Sequence, residues 1–97
     1  MRIIARKTLR DFSERHLQAK PGLDAWYHEV KRTEWLSPID VKTLYPKARI
    51  VCNDRVIFNI ANNRYRLVVK VNYAAGIVFI RFVGTHKEYD RINVEEV

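Results

Sequence analysis

His86, Tyr89 and Asp90 follow directly on Gly84-Thr85 near the end of the chain. If residues 86–91 turn as a helix, His86 and Tyr89 share one side. Asp90, four positions after His86, can then brace the imidazole, while Glu88 points elsewhere. Imidazole moves protons near neutral pH, and a phenol beside it can share in that transfer. Upstream stand Arg64, Arg66, Lys70 and Arg81, with Phe79 among them. Cations at this density suit a phosphate backbone, and an exposed ring suits a nucleobase. RNA carries its own nucleophile, the 2′-hydroxyl. Cutting it requires a base for that hydroxyl, positive charge for the phosphorane and an acid for the departing 5′ oxygen. His86 and Tyr89 are candidates for the proton handling, and Arg66, Lys70 and Arg81 for the charge. The same residues also suit a non-catalytic RNA- or ribosome-binding module, or a plain solvated surface.

Strand alternation decides where these side chains point. From Arg64 to Tyr73, the odd positions are Tyr65, Leu67, Val69, Val71 and Tyr73, and the even ones Arg64, Arg66, Val68, Lys70 and Asn72. Successive strand residues face opposite ways, so one face is apolar and the other carries three cations. In the next run, Ile77 to Thr85, the pattern predicts Val78, Ile80 and Phe82 inward and Ile77, Phe79, Arg81 and Val83 outward. Arg64, Arg66, Lys70 and Arg81 are thus expected on one concave, exposed patch beside Phe79.

Something must cover the apolar face. Arg2 to Arg6 reads as a first strand. Thr8 is placed to cap a helix through Leu9, Phe12 and His16 to about Ala19, ended by Lys20-Pro21-Gly22. Leu23, Trp26, Tyr27 and Val30 recur at helical spacing and predict a second helix to about Trp35. Asp40 can cap a short turn through Leu44. Strand-like runs at 49–52 and 56–60 follow, punctuated by Asn53-Asp54, Ala61-Asn62-Asn63 and Ala74-Ala75-Gly76. The expected fold is α+β and a single domain over residues 1–97. An N-terminal strand and helical hairpin cover one face of a mostly antiparallel C-terminal sheet, and a short helical turn closes it.

Eighteen basic residues against eleven acidic ones give a net charge of +7. Between Val41 and Arg81 stand eight bases and only one acid, Asp54, an imbalance that fits a polyanion partner. No apolar run approaches the roughly 20 residues a membrane span needs. A cytoplasmic, membrane-free protein is expected. The single cysteine, Cys52, allows no internal disulfide and reads as a packed thiol. His16, His28 and His86 lack the company of metal ligands, so neither metal nor cofactor is expected.

The stretch Asn63-Arg64-Tyr65-Arg66-Leu67-Val68-Val69-Lys70-Val71, followed by Val78-Phe79-Ile80-Arg81-Phe82-Val83-Gly84-Thr85-His86-Lys87-Glu88-Tyr89-Asp90, resembles the HigB-type toxins of the RelE superfamily. That resemblance implies the toxic member of a type II toxin–antitoxin pair. It implies an endoribonuclease that cuts mRNA in the ribosomal A site through 2′-hydroxyl attack, without a metal. A helix-turn-helix, HigA-like antitoxin is the implied partner, and operator DNA is reached only through the antitoxin complex. Carried over by position, Arg66, Lys70 and Arg81 hold phosphate. His86 is a general acid or base, and Tyr89 stacks or shares in proton transfer. Arg64, Phe79 and Lys87 are the expected RNA contacts. Which residue removes the 2′ proton stays open. Asn62 stands where a glycine is common, and the acidic Glu95-Glu96-Val97 end departs from the basic tails of some relatives.

Overall fold

The computed structural model describes residues 1–97. Strand β1 (Arg2–Ile4) leads into helix α1 (Arg6–Arg15), a one-turn 3₁₀ segment (Leu17–Ala19) and helix α2 (Lys20–Lys31). Helix α3 (Pro38–Leu44) precedes four strands, β2 (Arg49–Val51), β3 (Arg55–Ile60), β4 (Tyr65–Asn72) and β5 (Ile77–Thr85), and a last turn of helix, α4 (His86–Tyr89). The sheet runs β1-β5-β4-β3-β2. Strands β2 to β5 are antiparallel neighbours, and β1 joins β5 in parallel. The α+β architecture read from the sequence stands.

Alternation on β4 holds as expected, and β3 alternates with it. Val56, Phe58 and Ile60 of β3 and Tyr65, Leu67, Val69 and Val71 of β4 are buried against Leu9, Phe12, Leu23, Trp26, Val30 and Val41 from the helices. Each fully buried Val or Leu contributes roughly 1.5–3 kcal/mol relative to an exposed one, so this layer fixes which way β4 faces. A one-residue slip would turn its cations into the core.

The helix boundaries move. Ala5, not Thr8, precedes the first helical residue, and it makes no side-chain cap. Pro21 begins α2 instead of breaking a helix, because a proline in the first turn forfeits only an N–H that has no partner there anyway. Helix α2 ends at Lys31, and Trp35 is buried from the following loop. Ser37 occupies the N-cap of α3, with Asp40 inside its first turn accepting from the Leu36 N–H at 2.8 Å.

The outward face differs in two further ways. Strand β5 has nine residues and its partner β4 eight, so one residue must bulge. The pairs are Val69 with Ile80 and Val68 with Phe82, leaving Arg81 unpaired. From there the parity flips. Phe82, expected in the core, faces outward, and Val83, expected outward, packs on the core. The outward face is also not wholly open, since Ile57 and Val68 are buried on it. Phe82 flanks this apolar strip on one side. The run from Arg91 to Val97 leaves α4 and ends beside β3, where the Arg55 guanidinium donates to the Val97 carbonyl at 2.7 Å.

Cys52 is exposed, contrary to the packed thiol expected. Strand β2 stops at Val51, and Asn53 and Asp54 then take left-handed backbone angles (φ 59° for each), which swings the thiol out on a turn. A hydrogen bond to Glu95 raises its pKa above the ordinary thiol value.

Candidate nucleic-acid interface and active site

Across the outward face, three cross-strand rows order the candidate residues. Arg55, Lys70 and Phe79 form one row, Ile57, Val68 and Phe82 the next, and Asn59, Arg66 and Gly84 the third. Arg66 and Lys70 are four residues apart on one strand, about 13 Å at the rise of an extended chain. The cations therefore form two groups separated by the apolar strip, not one continuous patch.

The first group holds Arg66. Its Nη1 donates to the Asn63 carbonyl at 2.7 Å, which fixes the side chain at the β3–β4 turn. That carbonyl is presented by three successive left-handed residues, Ala61, Asn62 and Asn63, with φ of 54°, 56° and 71°. Asparagine tolerates this geometry, which Asn62 adopts at φ 56°. The Arg66 guanidinium carbon lies 5.9 Å from the centre of the Tyr89 ring. Phe82 adds a second ring 6.5 Å from Tyr89.

Helix α4 places that tyrosine, and a capping box holds α4. The Glu88 N–H donates to Thr85 Oγ1 at 3.2 Å, and the Thr85 N–H donates back to Glu88 Oε1 at 2.8 Å. The backbone N–H of Thr85 is the main reason the Glu88 carboxyl titrates below its ordinary range. The His86 N–H donates to the Arg64 carbonyl at 3.2 Å, which ties the first residue of α4 to the start of β4. His86 Nδ1 stands 3.3 Å from Asp90 Oδ2, both groups more than half exposed. The expected brace is present, Glu88 points back to Thr85, and Nε2 of His86 is left free of it. Three residues apart on one turn, His86 and Tyr89 face the same side.

Gly84 makes room for this arrangement. A Cβ there would come within 2.5 Å of the Phe82 ring and 3.2 Å of Glu88 Oε1. The glycine thus lets the last rung of β5 carry Phe82 outward and the capping box upward at once.

Lys70 and Arg81 make the second group. Phe79 lies directly across from Lys70, and the Arg81 guanidinium carbon is 5.9 Å from its ring. Arg81 is exposed, as a bulge residue freed from strand pairing. Lys70 also has Arg55 directly opposite on β3, and like charges so placed repel. Arg55 is buried to 7% exposure, and its guanidinium donates to the Asn53 and Val97 carbonyls. No carboxylate lies within 4 Å of the charged groups of Arg66, Lys70 or Arg81.

Arg64 leaves the expected patch. Its guanidinium donates to Gln18 Oε1 in the 3₁₀ turn, and the side chain borders the helical layer. Lys87 is exposed on α4, one residue from the His86–Asp90 pair. Phe82 and Arg55 are the residues the sequence reading missed. Counting nine residues against eight signals the bulge that turns Phe82, half-buried, to the outward face. Nothing in the sequence distinguishes Arg55 from other turn-flanking arginines.

The HigB toxin family, described as the RelE-like toxic component of a toxin–antitoxin system, matches residues 19–92. The mRNA interferase toxin HigB of Escherichia coli K12 is 30% identical over 92 residues, spanning 93% of this chain and 88% of that protein. The mRNA interferase HigB of Shigella flexneri matches to the same extent. A second HigB, from Escherichia coli O6:H1, is 22% identical over 97 residues, spanning 95% of this chain and 91% of that protein. With a match over most of its length, and with the strands and the terminal His-x-x-Tyr in place, this chain belongs to the HigB family of RelE-like toxins.

Proposed function

We propose that this toxin is an mRNA interferase, an endoribonuclease that cuts mRNA on the translating ribosome and so stops protein synthesis. The observation that carries the reading is the Arg66–Tyr89 contact beside the His86–Asp90 pair, with no carboxylate within 4 Å of the charged groups of Arg66, Lys70 or Arg81. The names of the relatives, all mRNA interferases, point to the same substrate. Phosphate would lie along Arg66, Lys70 and Arg81, with bases against Tyr89, Phe79 and Lys87. The attacking group is the 2′-hydroxyl, and His86 moves a proton to or from the reacting oxygens, so the side chains carry the reaction without a metal. So small a site gains from a substrate already held in register by the ribosomal A site.

Ribosomes place this activity in the cytoplasm; no helix of the chain is long and apolar enough to cross a membrane. A helix-turn-helix antitoxin would neutralise the toxin, and operator DNA would be bound through that complex. Induction of the toxin in a bacterial host, followed by mapping of transcript 5′ ends, tests the reading. New ends within translated codons, absent for His86→Ala and for Arg81→Ala, are expected. Growth arrest with no new ends would assign the same face to non-catalytic RNA or ribosome binding.

A further inference from the structure

Strand β2 is too short for the strand it pairs with. Its three residues match Val51 to Arg55, Ile50 to Val56 and Arg49 to Ile57, and the ladder ends there. Phe58, Asn59 and Ile60 therefore continue β3 with no strand beyond them, Asn59 exposed and Phe58 and Ile60 buried. In line with β2, where its continuation would lie, is a cleft of about 540 Å³. Its inner wall is α2, through Gly22, Ala25, Trp26 and Glu29, and its outer wall is the segment from Leu44 to Ala48.

The floor is aromatic. Phe58 meets the Trp26 ring at 5.4 Å and the Tyr45 ring at 5.1 Å between centroids. The indole N–H of Trp26 is buried and has no acceptor. A buried donor without a partner destabilises the free protein, a cost that an incoming carbonyl would relieve. Glu29, the only carboxylate in the lining, is already engaged by the Tyr45 hydroxyl, while Lys47 stands free at the rim and Arg49 begins β2 just beyond.

We propose that this cleft receives an extended segment of the antitoxin, which adds a strand beside this end of β3. Resting on the toxin–antitoxin assignment, the proposal specifies where the partner binds and in what form. Backbone groups of the segment pair with Phe58–Ile60, alternate apolar side chains sit on Phe58, Trp26 and Tyr45, and an acidic residue reaches Lys47. An acidic, apolar strand is the chemistry that complements a chain of net charge +7 with one acid between Val41 and Arg81. The cleft runs from the β2 side of the sheet to Asn63, whose carbonyl holds Arg66, and His86 is not in its lining, so neutralisation would not require covering His86.

The experiment uses the full-length toxin and the small protein encoded in the adjacent reading frame. Ala25 is exposed on α2 and lines the cleft, so Ala25→Arg fills the space without disturbing the core. Affinity is measured in the non-cleaving His86→Ala background, so its result does not depend on the catalytic reading. The expected result is binding weakened at least tenfold by Ala25→Arg, together with slowed amide exchange at residues 58–61 in the unsubstituted complex. Ala25→Arg alone should still cleave mRNA and arrest growth, now without relief by the antitoxin. Unchanged affinity of Ala25→Arg, unchanged exchange at residues 58–61, or failure of the adjacent protein to bind would each overturn the proposal.

Discussion

Arg66 reaches Tyr89 across the end of the sheet, with its guanidinium carbon 5.9 Å from the ring centre and its hydrogen bonds going to the backbone carbonyls of Asn63 and Tyr65. A planar guanidinium can keep those bonds, stack on the ring and still present an N–H to phosphate; an ammonium cannot do all three. Arg66→Lys is therefore expected to cut poorly despite its retained charge. Its rate should fall about 10²–10³-fold, the usual cost of losing one transition-state donor. Single-turnover cleavage of ribosome-bound mRNA measures this directly. Near-normal cleavage by Arg66→Lys would reduce the role of Arg66 to charge alone.

Gly84 and Phe82 give a steric prediction. The missing Cβ of Gly84 would stand 2.5 Å from the Phe82 ring, so Gly84→Ala must push that ring off the outward face. Overpacking of this kind costs typically about 1–3 kcal/mol. Cleavage should fall with stability, and Phe82→Leu added to Gly84→Ala should recover stability without recovering the lost ring and its activity. Thermal melts and cleavage rates of the two variants and their combination separate the effects.

The capping box ties the chemistry to pH. Glu88 titrates below the ordinary glutamate range in the folded chain, mainly through the Thr85 N–H. A lowered folded pKa contributes stability that is fully present above the unfolded value and is lost as pH falls through the folded one. Helix α4 should thus hold at neutral pH and fray on acidification below the usual glutamate value of about 4.3. Amide exchange at Glu88 reports the fraying. Thr85→Ala should loosen α4 already at neutral pH, at a local cost of about 0.5–2 kcal/mol.

Lys70 and Arg55 face each other across β4 and β3 with like charge, an arrangement that costs the free protein stability. Lys70→Met should keep or raise the melting temperature, since opposed like charges cost about 0.2–1 kcal/mol, while RNA cleavage falls. A variant that lost both together would mean that Lys70 is structural.

Much of this site was legible in the chain. Alternation from Tyr65 to Val71 placed Arg66 and Lys70 outward because a buried apolar face admits only one register. Spacing alone placed His86, Tyr89 and Asp90 on their turn. What escaped depends on contacts distant in sequence. Arg64 turns to Gln18, 46 residues away, and no local pattern announces that partner. The outward placement of Phe82 depends on a bulge visible only when β5 is counted against β4. The burial of Ile57 and Val68 on the outward face, and the docking of Val97 on Arg55, have no local signal either. A corollary is testable. Arg64→Ala should change cleavage less than threefold, whereas Arg81→Ala should lower it by two orders of magnitude or more, a loss of about 2.7 kcal/mol in transition-state stabilisation.

Programmed ribosomes carrying a defined mRNA, mixed with purified toxin, put the catalytic role of this face to its most direct test. The expected result is a cut within the A-site codon that leaves a 2′,3′-cyclic phosphate and a 5′-hydroxyl. Replacing the scissile 2′-hydroxyl by hydrogen should abolish that cut, and His86→Ala should slow it at least a hundredfold. Equal cutting of the 2′-deoxy mRNA, or undiminished cutting by His86→Ala, would contradict the account.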